Sequence, residues 1–233
     1  MKTIILCGGL GSRISEETKK KPKPMVKIGN DPILVHIIKI YIKNGFTNFV
    51  LALGYKKHNI IKYFKNHKIK GAKIQLLDTG KKTLTGNRLL KLKNILKKEE
   101  NFFLTYGDGL SNVNLKKLLS FHLEKKKVAT VTAVRPTARF GQLKISKNNL
   151  VKKFEEKNQI NEGWINGGFF VLNKKIFNYL PKYQSMLERE PMNRLVKDRQ
   201  LISFKHYGFW QCMDTLRDKE MLNQMWKKKK HQW

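Results

Sequence analysis

The chain has 233 residues, of which 49 are lysine or arginine and 17 are aspartate or glutamate, so its formal net charge is +32. Hydrophobic residues make up 40% of the chain, which is enough for one sizeable core or one core with a satellite lobe. No apolar stretch is long enough to cross a bilayer, and the run Thr3 to Cys7 is too short for a signal peptide. We therefore expect a cytoplasmic protein without a membrane partner. Cys7 and Cys212 lack the paired spacing of a disulfide or metal site.

The high positive charge does not by itself indicate a nucleic-acid-binding protein. Lysine supplies 41 of the 49 basic residues, and the lysines are spread along almost every predicted helix and turn. Proteins that bind specific DNA sequences favour arginine, and a binding site clusters its charge. We therefore expect no nucleic-acid partner, and we interpret the run Lys227 to Lys230 as a solvated basic end.

Strands and helices alternate through the first half of the chain. Asp31 and Pro32 fit the start of the first helix, with Asp31 as its N-cap, and Gly45 fits its end. The alternation predicts an α/β fold with a doubly wound, mostly parallel, Rossmann-like sheet whose ligand lies at the carboxyl ends of the strands. The predicted strands are 2–7, 49–54, 73–78, 102–107 and 129–134, and the helices lie near 32–44, 57–66, 87–98 and 114–126.

The pattern becomes richer in strands after about residue 136. No linker rich in serine, glycine or proline divides the chain, so we expect one domain, 1–233, with a smaller strand-rich region packed on the sheet. The later predicted strands are 142–146, 150–154, 167–172 and 201–206, followed by helices near 185–197 and 215–226.

A glycine-rich turn, Gly8 to Ser12, follows the first predicted strand directly. Backbone N–H groups in such a turn can approach phosphate oxygens closely because glycine has no Cβ, and Arg13 and Lys23 supply the positive charge that a triphosphate needs. The turn is not a Walker loop, because no Lys-Ser or Lys-Thr pair follows the last glycine. It is not a dinucleotide fingerprint either, because Ile14 stands where the third glycine would open a helix.

A second turn, Gly107 to Gly109, also follows a predicted strand and carries Asp108. Because the carboxyl ends of parallel strands lie at one edge of a sheet, we expect Asp108 to lie beside the glycine-rich turn.

Five segments in chain order resemble the sugar-phosphate nucleotidylyltransferases, and in particular the glucose-1-phosphate cytidylyltransferase branch. The resemblance runs from Met1 to about Trp226, and its last segment is long enough to be specific. The segments are Gly8 to Arg13 with Lys21-Pro22-Lys23-Pro24, Phe103 to Gly109, Phe154 to Lys157, Trp164 to Phe170, and Gly208 to Lys219.

This resemblance implies the transfer of a nucleotidyl group from CTP to α-D-glucose 1-phosphate, giving CDP-glucose and pyrophosphate, with Mg²⁺ as the cofactor. The same chemistry with another NTP or another sugar 1-phosphate is the alternative, and a basic nucleic-acid-binding protein is a more distant one. The resemblance also implies a homo-oligomer. It divides the single domain into a nucleotide-binding half, 1–135, a sugar-binding half, 136–226, and a basic tail, 227–233.

The resemblance assigns roles residue by residue. Arg13, Lys23 and Asp108 are the implied catalytic residues, and Asp108 and Asp214 the implied metal ligands. Arg88 is placed near the base, which Asn166 also reaches. The implied nucleotide-binding residues are Leu6, Gly8, Gly9, Gly11, Ser12, Arg13, Lys23, Thr85, Arg88, Gly107 and Asp108, and the implied sugar-phosphate-binding residues are Gly141, Glu156, Lys157, Asn166 and Gly167.

Each of the following residues also has an ordinary structural interpretation. Asp108 could be an ordinary turn residue, Asp214 a helix N-cap ahead of Thr215, and Lys23 a surface lysine. The pair Glu156 and Lys157 could be a charged strand end, and Gly141 a structural turn.

The chain departs from the family pattern in four places. Ser12 replaces the commoner threonine, Asn158 replaces a proline, and Cys212 replaces a proline ahead of Asp214. The connection from Phe64 to Ile74 is shorter than in family members. If the missing segment helps to close the nucleotide site or a subunit interface, the resemblance no longer fixes nucleotide choice and oligomeric state.

Overall fold

The computed structural model of the chain describes residues 1–136, 142–155 and 163–233, with segments 142–145 and 153–155 described by their backbone alone. In chain order its elements are β1 (Thr3–Cys7), α1 (Ser15–Thr18), β2 (Lys27–Ile28), β3 (Asp31–Pro32), α2 (Ile33–Lys43), β4 (Asn48–Leu53), α3 (Lys57–Asn66), β5 (Lys73–Asp78), α4 (Thr85–Leu90), β6 (Asn101–Tyr106), β7 (Gly109–Ser111), α5 (Leu115–Lys125), β8 (Ala129–Val134), β9 (Gln142–Ile145), β10 (Val151–Glu155), β11 (Ile165–Asn173), α6 (Glu190–Lys197), β12 (Leu201–His206), β13 (Trp210–Cys212) and α7 (Leu216–Lys227).

The central sheet has seven strands in the order β12, β8, β11, β6, β1, β4, β5. Strand β1 pairs in parallel with both β4 and β6, β4 pairs in parallel with β5, and β12 pairs in parallel with β8. Strand β11 runs antiparallel between β6 and β8. The predicted α/β fold with a mostly parallel sheet is confirmed.

Helices cover both faces of the sheet, and the alternation of side chains along β1 shows why. Ile5 and Cys7 point to one face, where they pack in a core with buried residues of α2, α3, α5 and α7. Ile4 and Leu6 point to the other face, where they pack with buried residues of α4 and α6. A strand buried on both faces has no polar side, so its sequence reads as a continuous apolar run.

Two of the four later strands are part of the central sheet. Strands β11 and β12 are members of the seven-stranded sheet, whereas β9 and β10 pair with each other as an antiparallel ribbon. The run Phe169 to Leu172 is fully buried, as expected for a central strand with helices on both sides. The strand-rich half is therefore built partly into the main sheet.

The N-cap assignment for Asp31 is wrong. Helix α2 begins at Ile33, Pro32 occupies the cap position, and no side chain caps the helix. Asp31 lies in β3, which pairs with β2, and its carboxylate accepts a hydrogen bond from Lys39 at 2.6 Å. The prediction for Gly45 is confirmed, because this residue has φ 89° directly after the helix and donates to the carbonyl of Ile42.

Two predicted helices are shorter than expected. Regular helix runs over 85–90 and so covers only 87–90 of the predicted region 87–98, and the chain continues in turns that still bury Leu92 and Leu96. The four-residue spacing of these leucines predicts a helix, but a series of tight turns buries both side chains equally well. In the region 185–197 the helix begins at Glu190, because Pro191 lacks an N–H and fits only the first turn.

The end of the chain folds back onto α2. The indole N–H of Trp233 donates to Nδ1 of His36 at 3.1 Å, and the ring of Trp226 packs edge-on against the same imidazole. Lys227 to Lys230 are exposed, as the sequence indicates. Within the described ranges, no helix has the length and apolarity needed to cross a membrane.

A buried histidine makes the stability of the fold depend on pH. His122 lies on α5, where its Nε2 contacts Asn101 Oδ1 at 3.1 Å and its Nδ1 contacts the Thr130 hydroxyl at 2.8 Å. Burial lowers the pKa of His122 to about 4. Between pH 6.5 and 4 the unfolded chain therefore binds a proton that the folded chain does not, and the free energy of unfolding falls as the pH falls.

We expect the wild-type protein to lose up to about 3 kcal/mol of unfolding free energy from this group between pH 6.5 and 4. Urea unfolding at half-unit pH steps measures the loss. The variant His122→Gln lacks the titrating group, so its profile should be flatter by that amount, while the other histidines still contribute to both profiles. Parallel profiles for the two proteins would contradict this assignment.

Candidate active site

A cavity of about 610 Å³ opens at the carboxyl edge of the sheet. The sequence analysis predicts seventeen site residues, and all fourteen that fall in the described part of the chain line this cavity. Gly141, Glu156 and Lys157 lie outside the described residues. Those in the cavity wall are Leu6, Gly8, Gly9, Gly11, Ser12, Arg13, Lys23, Thr85, Arg88, Gly107, Asp108, Asn166, Gly167 and Asp214.

The glycine-rich turn lies against the guanidinium group of Arg88, which is 3% exposed. One terminal nitrogen of Arg88 donates to the carbonyl of Leu53 at 2.7 Å and to the hydroxyl of Thr79. The other donates to the carbonyls of Thr83 at 2.7 Å and Gly8 at 3.3 Å. Arg88 thus joins the ends of β1, β4 and β5.

This bonding gives Arg88 a positioning task in addition to the base contact that the resemblance implies. Four acceptors of the chain itself match the four N–H groups on the two terminal nitrogens. A Cβ built on Gly8 would overlap the guanidinium group, whereas a Cβ on Gly9 meets nothing within 4 Å. The glycine at position 8 is therefore required by close packing against Arg88.

The ammonium group of Lys23 joins the two predicted metal ligands. Its Nζ lies 2.6 Å from Asp108 Oδ2 and 2.5 Å from Asp214 Oδ1. Arg13 contacts the other oxygen of Asp214 at 2.7 Å with a side chain that is 75% exposed. Lys23 itself is only 8% exposed, which excludes the alternative interpretation of this residue as a surface lysine.

The protonation states follow from these contacts. Burial on its own would lower the pKa of Lys23, but the neighbouring Asp108 and Asp214 carboxylates leave it above its ordinary value. Burial would raise the pKa of Asp214, but Lys23 and Arg13 hold it below the usual range. At neutral pH the group is an ammonium paired with carboxylates.

Local structure brings Asp214 to Asp108 from more than a hundred residues away. Strand β13 pairs with β7 directly after Asp108, and the amide of Met213 donates to the Asp108 carbonyl at 2.9 Å. Thr215 and Asp218 form a capping box at the start of α7. The amide of Asp214 also donates to Asp218, at 2.9 Å. The N-cap is thus Thr215, so the alternative assignment of Asp214 as a cap is wrong.

The doubled glycine in β11 marks an irregularity in the sheet. The register of β11 against β8 shifts between Asn166 and Phe170, and Gly168 has φ 78°. A Cβ on Gly168 would lie 2.7 Å from the ring of Tyr106. The bulge turns Asn166 and Gly167 towards the cavity.

Several cavity residues are missing from the sequence-based set, among them Tyr106, Met186, Glu188, Trp210 and Cys212. Tyr106 and Trp210 sit inside the quoted motifs, so adjacency to Asp108 and Asp214 could have indicated them. Met186 and Glu188 lie in a connecting segment with no motif of its own. They reach the cavity through tertiary contacts that a sequence pattern does not carry.

The donor set fits a divalent cation. Ligand atoms of Asp108, Cys212 and Asp214 lie within 4.8 Å of one another, the group that the described residues offer for a metal. Two carboxylates suit Mg²⁺, which prefers oxygen ligands and keeps several waters. The ammonium of Lys23 between the same oxygens shows that the pocket is built around positive charge.

Comparisons with known proteins agree with this geometry. The family profile described as nucleotidyl transferase matches residues 2–211. The chain is 41% identical to the glucose-1-phosphate cytidylyltransferase of Salmonella typhi over 254 aligned positions, which cover all of this chain and 98% of the relative. The glucose-1-phosphate cytidylyltransferase of Salmonella typhimurium is likewise 41% identical with the same coverage.

A solved structure shares the fold. The structure of HddC from Yersinia pseudotuberculosis complexed with GMP-PN superposes with a TM-score of 0.76 at 22% identity, covering 97% of this chain and 99% of the other. The alignment with the Salmonella typhi relative spans more positions than this chain has residues, so the relative has segments that this chain lacks.

The chain therefore belongs to the nucleotidyl transferase family, among the relatives of the glucose-1-phosphate cytidylyltransferases. The predicted resemblance and the enzyme class, a nucleotidyltransferase, are confirmed. The roles of individual site residues stay predictions.

The contact between Gly8 and Arg88 can be tested by comparing alanine substitutions at two neighbouring glycines. Because four hydrogen bonds hold the guanidinium group, it cannot yield to a methyl group, so Gly8→Ala should lower the free energy of unfolding by about 1–3 kcal/mol. Gly9→Ala meets open space and should change it by less than about 0.5 kcal/mol. Urea unfolding measures both, and equal effects of the two substitutions would contradict the proposed packing.

Proposed function

We propose that this nucleotidyltransferase transfers a cytidylyl group from CTP to α-D-glucose 1-phosphate, producing CDP-glucose and pyrophosphate. The observation that supports the proposal most strongly is the meeting of Asp108, Asp214 and Lys23 beside the glycine-rich turn. The identity to the two Salmonella enzymes, over nearly their whole length, supports the choice of substrates.

The reaction needs positioning and charge neutralisation more than proton transfer. An oxygen of the sugar phosphate attacks the α-phosphorus of CTP, a new P–O bond forms, and the bond to the β-phosphate oxygen breaks to release pyrophosphate. The attacking oxygen is already an anion, so no general base is required. The protein must hold two anions together and neutralise the charge that develops on the α-phosphate and leaving group.

The described residues divide this work between them. Backbone N–H groups of the turn from Gly8 to Ser12 are free of side-chain obstruction at Gly9 and suit the triphosphate oxygens. Arg13, exposed at the cavity mouth, neutralises the leaving pyrophosphate. Lys23 is buried and has a proline on either side, which stiffens the backbone that presents its side chain. A fixed ammonium group in this position can bring the two reacting phosphates together.

Asp108 and Asp214 would hold Mg²⁺. A bound magnesium ion supplies Lewis-acid polarisation of the phosphate oxygens. The chain's own contribution is to fix the two carboxylates at one point through the pairing of β7 with β13 and through the capping box after Asp214.

The same chemistry with another NTP or another sugar 1-phosphate is the second candidate. It is favoured by the length of the chain, because the Salmonella typhi relative has segments that this chain lacks and the connection between α3 and β5 is only residues 67–72. A substrate contact carried by such a segment would be absent here. A homo-oligomer remains part of the proposal from the family resemblance.

A substrate matrix tests the function directly. Pyrophosphate release is measured for CTP, UTP, dTTP, ATP and GTP, each with glucose, mannose and galactose 1-phosphates and with Mg²⁺. We expect kcat/KM to be highest for CTP with glucose 1-phosphate, and mass spectrometry to identify CDP-glucose. A higher value for another pair would replace the proposed substrates, and no release with any pair would end the proposal.

Asp108→Asn and Asp214→Asn should each lower kcat/KM at least about 100-fold in that assay, because an amide cannot provide the charge that a divalent cation needs. Asp31→Asn is the matched control, since this acid pairs with Lys39 away from the cavity, and it should stay within twofold of wild type. Circular dichroism verifies the folds. Full activity in both cavity variants would remove the metal assignment.

The ion pairs of Lys23 predict competition between this ammonium and a divalent cation. Without nucleotide, Lys23→Met should bind Mn²⁺ about tenfold more tightly than wild type, because two carboxylates lose their internal positive partner. Electron paramagnetic resonance of free Mn²⁺ measures the affinity. Lys21→Met, which removes a lysine paired with Glu17 instead, serves as the control. Unchanged Mn²⁺ affinity in Lys23→Met would show that the ammonium does not occupy the cation's position.

A further inference from the structure

Glu188 is an acid in the cavity wall with a defined place in the fold. The Thr85 hydroxyl donates to its Oε2 at 2.6 Å, and the Tyr106 hydroxyl donates to its Oε1 at 2.5 Å. All three residues line the cavity. A carboxylate has about four acceptor positions, so each oxygen of Glu188 can accept another hydrogen bond from a molecule in the cavity.

The segment that carries Glu188 is anchored to the start of α4. The amide of Gly86 donates to the carbonyl of Ser185 at 3.1 Å, and the amide of Leu187 donates to the Thr85 hydroxyl at 2.9 Å. Ser185 and Leu187 are buried, and a Cβ on Gly86 would lie 2.8 Å from the Ser185 carbonyl. Glu188 is therefore held in place even though its own side chain is exposed to the cavity.

A network joins Glu188 to residues that the family resemblance assigns to the substrates. Thr85, whose hydroxyl donates to Glu188, is one of the implied nucleotide-binding residues. The Tyr106 hydroxyl has a single proton and donates it to Glu188. The ring of Tyr106 packs closely against Gly168, whose amide donates to Oδ1 of Asn166 at 2.8 Å.

The charge of Glu188 limits what it can bind. Among the described residues, no basic side chain lies within ion-pair distance of its carboxylate, while Arg13 and Lys23 gather at the Asp214 end of the cavity. A carboxylate without a basic partner among these described residues repels phosphate and accepts only from hydrogen-bond donors. The wall around Glu188 thus suits an uncharged part of a substrate that has an N–H or O–H group.

Building on the proposed function, we infer that Glu188 is a specificity-determining residue that accepts a hydrogen bond from an uncharged donor group of a substrate. The chemistry has two sources in this reaction, the amino group of cytosine or a hydroxyl group of the sugar. The two sources differ in a testable way. Uracil has an accepting carbonyl where cytosine has its amino group, so a carboxylate at the base would disfavour UTP. A site that bonds a donor rejects analogues that lack it.

Glu188→Gln separates the two sources, because it keeps the shape of the side chain and replaces one acceptor with a donor. The kcat/KM of wild type and variant are measured with CTP and UTP, and with glucose 1-phosphate and its 2-, 3-, 4- and 6-deoxy analogues. A base contact predicts that the CTP-to-UTP ratio falls at least tenfold. A sugar contact predicts an unchanged ratio, a loss of at least tenfold with glucose 1-phosphate, and a much smaller loss with one deoxy analogue.

Glu190→Gln is the matched control, because this acid pairs with the Tyr183 hydroxyl and does not line the cavity. It should leave every ratio unchanged. If Glu188→Gln stays within threefold of wild type for all substrates, or lowers all of them by one common factor, the inference is wrong. A wild-type enzyme that is inactive with CTP and glucose 1-phosphate refutes the proposed function instead, so the two failures are distinguishable.

Discussion

The attraction between the Lys23 ammonium and two carboxylates organises the centre of this molecule. Asp108 follows β6, Asp214 follows β13, and Lys23 sits in a short turn that begins after Pro22. The three groups come from separate parts of the chain, and two carboxylates this close would repel each other without a cation between them. The internal cation therefore lets the chain fold with both acids at one point. Under the proposed metal assignment it would also make the nucleotide and the metal interdependent, because Lys23 would need new partners among phosphate oxygens once a metal held the carboxylates.

The charge distribution gives this centre its context. A chain with a formal net charge of +32 attracts polyanions in general. Against that background the cavity is selective, because its described residues combine carboxylates, an acid in the wall at Glu188 and, near the predicted phosphates, the basic side chains of Arg13 and Lys23. A nucleoside triphosphate with its cation matches this mixture better than a bare polyanion does. Most of the lysines lie elsewhere, on exposed helix and turn positions.

Much of the fold could be predicted from the sequence, because strands and helices depend mainly on the pattern of apolar residues within each segment. Apolar runs such as Thr3 to Cys7 are buried on both faces, and the alternation of strands with helices leaves little choice but a doubly wound sheet. The failures have physical causes as well. Asp31 has the chemistry of a cap, but tertiary pairing places it in a strand next to Lys39. The spacing of Leu92 and Leu96 satisfies a helix and a chain of turns equally, and only packing decides between them.

Part of the candidate site could be predicted from the sequence, and part of it could not. Turns that follow strands can be recognised in the sequence from their glycines and acidic residues, so the regions around Gly8 and Asp108 could be predicted. Glu188 could not, because its position depends on hydrogen bonds from α4 to a segment about a hundred residues later. Arg88 could be identified but its bonding could not, since carbonyls of Leu53, Thr83 and Gly8 converge on it only in the folded chain.

The contact of Gly8 with Arg88 also constrains how sequences of this kind can diverge. The space that a side chain at position 8 would need is filled by the guanidinium group, so the two positions share one volume. A larger residue at position 8 becomes tolerable only when position 88 carries a shorter one, and that shorter residue would leave strand-end carbonyls without their donors. The two positions should therefore covary, and the substitutions that preserve function should occur in pairs.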